Sequence, residues 1–150
     1  MIAVYVERVV MGYGSLEELV GGARRKRSVL IVSAAPATSG SDWIAGVFGA
    51  QVEVITELYT ALEAVEVDPV NWSLVMIDCE GFGGLDEVTR AIARVACLGA
   101  TVPVILSAME VAEQSFPAEG PVVLRAPITR LSLRMGVEHA LRRALAVNYC

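Results

Sequence analysis

From Ser28 onward, short runs of β-branched and other apolar residues alternate with segments in which apolar positions recur every three or four residues. Residues 29–32, 52–55, 74–77, 102–106 and 121–124 predict five strands. Three of these are unbroken apolar runs, apart from Pro103 near the start of one, as expected for strands buried on both faces. Between them, residues 42–48, 57–65, 85–98 and 129–147 predict helices. Repeated βα units of this length predict an α/β protein: a doubly wound, five-stranded parallel sheet with helices on both faces. Residues 109–120 break the rhythm. They hold at most two helical turns before Pro117 and Gly120 end them, so a short or irregular fourth helix is expected. Residues 1–27 lie outside the repeat. There Ser15 and Glu18 have the spacing of a capping box and Gly21-Gly22 ends the helical pattern, which reads as an N-terminal arm appended to a domain at 28–150.

Composition narrows the classes of function. The chain has 150 residues, 55% of them hydrophobic and only 19% charged, which suits one packed domain and excludes disorder for most of it. No apolar run approaches the roughly 20 residues of a membrane span, and no secretory signal is apparent, so no membrane role is expected. A formal net charge of −5 argues against binding nucleic acid or an anionic membrane, both of which need a basic face. The local exception, Arg24-Arg25-Lys26-Arg27, reads as a solvated linker or as a patch for an anionic partner. Three of the seventeen acidic residues and five of the twelve basic ones precede Ser28, leaving fourteen and seven, a formal −7 for the domain. Cys79, Cys97 and Cys150 lack the spacing of a disulfide framework or a zinc site, which fits a reducing, cytoplasmic setting. The single histidine, His139, would have to carry any Ser/His/Asp or Cys/His hydrolase. It lies about 200° around the helix from Val137, so it is expected to be a solvent-facing structural residue. Trp43 and Trp72 read as packing residues, and apolar residues left exposed on the last helix would favour self-association.

In a doubly wound sheet, ligands bind beyond the carboxyl ends of the strands, so the informative residues follow each strand: Ser33-Ala34, Asp78-Cys79-Glu80, Ser107-Ala108 and Arg125-Ala126-Pro127. Asp78 closes an apolar strand and is placed at the mouth of the sheet. On these residues, and over residues 27–147, the chain resembles a response-regulator receiver domain, a CheY-like, flavodoxin-like (βα)5 fold. The resemblance implies that Asp78 is the phosphoacceptor for a histidine kinase and that Ser107 contacts the phosphoryl group. It also implies an acidic pair holding Mg²⁺ after the first strand and a lysine after the fifth, and here the chain departs from the pattern.

No Asp or Glu lies between Ser28 and Ser41, so Ser33 and Ala34 stand where the acidic pair is expected. Mg²⁺ is a hard cation held by oxygen ligands, carboxylates foremost, and Glu80 is the one nearby carboxylate available to help Asp78. Lys26 is the only lysine and precedes the first strand. Either Arg125 supplies the missing charge, as a planar fork in place of a compact ammonium, or Pro127 anchors the register and Ala126 stands at that position. The Gly81-Phe82-Gly83-Gly84 loop is not a phosphate-binding motif, and the chain has no GxxxxGK[ST].

These features lead to a degenerate, non-catalytic receiver of a two-component or phosphorelay pathway. Such a domain needs no cofactor and acts through a histidine kinase, phosphotransfer or output protein, or through a second copy. One alternative is a working response regulator phosphorylated on Asp78, with Ser107 and Arg125 as phosphoryl contacts and Glu80 aiding Mg²⁺. Another is a flavodoxin-like cofactor domain using the hydroxyls of residues 33–40 as an anion cradle, although Thr38, Ser39 or Ser41 equally reads as a helix cap.

Overall fold

The computed structural model describes residues 28–35, 41–48, 52–99 and 101–149. The predicted arm at 1–27, the anion-cradle residues 36–40 and the side chain of Trp43 lie outside the described residues. Five strands form one parallel sheet: β1 (Ser28–Val32), β2 (Val52–Ile55), β3 (Trp72–Asp78), β4 (Val104–Ala108) and β5 (Val122–Arg125), in the order β2-β1-β3-β4-β5. Among the described residues, the helices α1 (Ser41–Phe48), α2 (Leu58–Val67) and α3 (Leu85–Ile92) lie between strands, and α4 (Arg130–Tyr149) follows β5. Among the described residues, no helix is long and apolar enough to cross a membrane.

Alternation along the strands divides the core in two. Leu30, Val32, Val75, Ile77, Val104 and Leu106 face α2 and α3, where Leu58, Ala61, Leu62 and Val65 supply an i, i+3, i+4, i+7 stripe. Val29, Ile31, Leu74, Met76, Ile105, Val122 and Leu124 face α1 and α4, meeting Ile44, Phe48, Leu133, Val137 and Ala140. Trp72 is buried on the first of these faces, its indole N–H donating to the Ala64 carbonyl at 3.3 Å. Gly136 brings α4 close to β5, because a Cβ there would stand 3.2 Å from Leu124 Cδ1. α4 begins on a reciprocal cap: the Thr129 hydroxyl accepts the Ser132 amide at 3.1 Å and the Ser132 hydroxyl accepts the Thr129 amide at 3.0 Å.

Both late strands start after their proline, since proline has no N–H to give the ladder. β4 therefore runs through Ser107 to Ala108, and β5 through Arg125. The third predicted helix stops early: α3 ends at Ile92, and the chain re-enters the sheet through Gly99, at φ +83°, with a Leu98–Val102 bridge.

Shortening of the fourth helix goes to its limit, for no helical turn forms between β4 and β5. The segment wraps the edge of β5 instead. Val111 packs on one core face and Phe116 on the other. Between them, Ser115 pairs antiparallel with Val123 through bonds of 2.8 and 3.0 Å, covering an edge that would otherwise expose unpaired donors and acceptors. α4 holds this wrap from behind, Arg143 donating to the Gly120 carbonyl.

His139 differs from expectation. It is half-buried, its Nε2 lies 2.8 Å from the Pro117 carbonyl oxygen, and its ring meets Phe116 edge-on at 5.9 Å. It does point away from the main apolar stripe of α4, but the wrapped segment, invisible to helical periodicity, comes up to cover it.

Candidate functional site

The sheet places Asp78 at the end of its central strand. β3 lies between β1 and β4, so Asp78 has the residue after β1 on one side and the end of β4 on the other. Ser33 is buried directly after Val32, and its hydroxyl donates to Asp78 Oδ2 at 3.4 Å. Asp78 and the buried Ser107 are register partners across β3 and β4. Asp78 Oδ1 also accepts the amide of Glu80 at 3.3 Å, capping the 3-10 turn Cys79–Phe82. The mouth therefore gathers a half-buried carboxylate and two hydroxyl-bearing residues.

The remaining candidates are turned to other uses. Ala34 is exposed, and its Cβ abuts the loop after β3: a Cβ added to Gly81 would come within 2.3 Å of it. Glu80 Oε1 accepts the amide of Met109 at 2.6 Å, which commits this carboxylate to the loop after β4. Arg125 is exposed and its Nη1 donates to the Ala112 carbonyl at 3.4 Å, so its guanidinium serves the wrapped segment. Ala126, whose amide donates to the Ala108 carbonyl at 2.9 Å, precedes Pro127 through a cis peptide bond and brings no charge to this corner.

Such a donor set does not fit Mg²⁺. Ser33 and Ala34 bring no carboxylate, Glu80 and Glu110 each have a carboxylate oxygen committed to a backbone amide, and Asp78 is held by Ser33 and the Glu80 amide, whereas the cation takes near-octahedral oxygen donors and is usually held by one or two carboxylates with a phosphate. Among the described residues, no three His, Cys, Asp or Glu side chains converge as metal ligands.

Cys79, beside Asp78 in sequence, projects to the opposite side into the core. Burial first, and then the nearby charges of Asp78, Glu110 and Glu80, push its thiol up to about 12. A thiol that stays protonated and inaccessible is no nucleophile.

Two residues of the mouth were not singled out from sequence. Glu110, three positions beyond Ser107, has a carboxylate oxygen accepting the Leu85 amide at the start of α3. Met109, held by Glu80, is 65% exposed. Their one sequence signal is proximity to the end of a predicted strand.

The contact between Ala34 and Gly81 makes a prediction. Gly81→Ala should destabilise the fold by about 1–3 kcal/mol, the usual cost of an inserted methyl in a packed contact, with urea denaturation as the measurement. Removing the opposing methyl in the double variant Gly81→Ala/Ala34→Gly should recover most of that loss; an additive double variant would locate the strain elsewhere.

No family model matches the chain, and no curated protein matches it. Among solved structures it is similar to the crystal structure of a response regulator receiver domain protein from Clostridium thermocellum. That match covers 81% of this chain and 98% of the other, at 14% identity and a TM-score of 0.56. The chain has a CheY-like receiver fold.

Proposed function

We propose that this domain is a receiver-type interaction module of two-component signalling, working in the cytoplasm without efficient phosphorylation of Asp78 and without catalysing a reaction. The observation that carries this reading is the charge of the mouth. Asp78 accepts from Ser33, Ala34 follows in the same loop, Arg125 is turned to the Ala112 carbonyl and Ala126 carries no charge, so among the described residues these candidate positions bring no cation to an incoming phosphoryl group. In-line phosphoryl transfer depends almost wholly on such positioning and charge compensation, because the protein does little covalent chemistry of its own.

Under this reading the domain acts by presenting a surface to a histidine kinase, a phosphotransfer protein or an output protein. The exposed Met109 at the mouth and the exposed Leu131 and Met135, one turn apart on α4, are apolar residues available to such a contact or to a second copy.

Incubation of the wild-type chain with acetyl phosphate and Mg²⁺, followed by intact mass measurement, should show no stoichiometric phosphoryl adduct. One phosphoryl group gained at Asp78, and lost in Asp78→Asn, would overturn the reading in favour of a working phosphoacceptor.

A further inference from the structure

The loop after β3 and the loop after β4 are tied to each other twice, and in opposite directions. Glu80, from the first loop, accepts the amide of Met109 in the second at 2.6 Å. Glu110, from the second, accepts the amide of Leu85 at the end of the first. Met109 and Glu110 are neighbours in sequence, so the two bonds close a ring with residues 80–85. One carboxylate seals each end of it.

The ring encloses the glycines that sequence left without a purpose. Gly83 and Gly84 have φ of +92° and +96°, conformations that glycine adopts without the strain another residue would meet. Gly84 also makes room for the tie: a Cβ there would lie 3.1 Å from Glu110 Oε2. α3 has Asp86 and Glu87 in its first turn but no side-chain cap of its own, Gly84 being its N-cap, so Glu110 supplies from a distant loop an acceptor for the Leu85 amide. Asp78 joins the same chain of bonds through the Glu80 amide.

We infer that Glu80 and Glu110 form a ligand-independent clamp that holds the two loops of the mouth, the start of α3 and the exposed Met109 in one arrangement. The chain's own carboxylates thereby hold in place the parts of the mouth that a switch would need to release. This extends the proposed reading and rests on it in one respect, namely that no phosphoryl group at Asp78 takes over the setting of these loops.

Amide hydrogen exchange followed by NMR tests the clamp. Glu80→Ala should speed exchange at Met109 by about 2- to 10-fold, the range expected for one lost hydrogen bond, and Glu110→Ala should do the same at Leu85. Because the bonds close one ring, each variant should also speed the other's amide, while Glu80→Gln and Glu110→Gln, which keep an acceptor oxygen, should restore most of the protection. Unchanged exchange at Val75 and Ile77 in the core of β3 shows that the variants are folded. If each alanine variant affects only its own amide, or neither amide changes, there is no clamp. Intact mass after acetyl phosphate treatment of the same samples tests the parent reading separately.

Discussion

The triple variant Ser33→Asp/Ala34→Asp/Ala126→Lys should take up one phosphoryl group from acetyl phosphate at Asp78 in a Mg²⁺-dependent manner, where the wild-type chain is expected to take up none. Each substitution brings charge to a position near the end of a strand. Ser33 hydrogen-bonds Asp78, so a carboxylate at 33 would stand beside it. Ala34 is exposed and Gly81 leaves room at its Cβ, so the rest of an aspartate side chain extends into solvent. Ala126 sits next to the end of β4, its amide donating to the Ala108 carbonyl, and directly before Pro127, so the variant brings a lysine to that corner. A single preorganised charge or donor is worth on the order of 10²–10³ in rate, so the three together should raise phosphorylation by at least about 10²-fold. Titration calorimetry should show Mg²⁺ binding by the triple variant and none by the wild type. A folded triple variant that neither binds Mg²⁺ nor gains mass would mean that charge is not what the site lacks.

The second large effect concerns what replaces the missing helix. Leu106 is fully buried on β4, in the core layer against which Val111 of the wrapped segment packs. Leu106→Ala should cost about 2–5 kcal/mol, the lost transfer energy plus the cavity left behind, read as a lower urea midpoint at unchanged slope. A cost below about 1 kcal/mol would show that the wrap collapses into the gap as a loosely packed loop does.

Asp78, Ser33, Ala34 and Ser107 were legible from sequence because each follows a strongly apolar strand, and strand ends in a parallel sheet point to one rim. The order of the mouth then follows from the parallel register, with Asp78 opposite Ser107. Arg125 shows the limit of that logic. Its place at the end of β5 was readable, but its side chain goes to Ala112, because residues 109–121 wrap that edge and offer a carbonyl there. His139 departs from expectation for the same reason: helical phase says which way a side chain points, not what a distant loop brings to meet it.

The sequence by itself determined the α/β class, the five strands, the approximate helices, the weakness of the stretch between the last two strands, and the absence of acids and lysine from the expected positions. All of these are local properties, carried by period, breakers and residue counts. Only the tertiary structure decided how far the fourth helix is lost, where Arg125 and His139 make their bonds, and that Glu80 and Glu110 tie the mouth together. Those outcomes depend on which backbone donors and acceptors are left unpaired once the sheet has formed. A carboxylate 25 or 29 residues away satisfies an orphan amide as well as a near one, and spacing along the chain does not reveal which it will be.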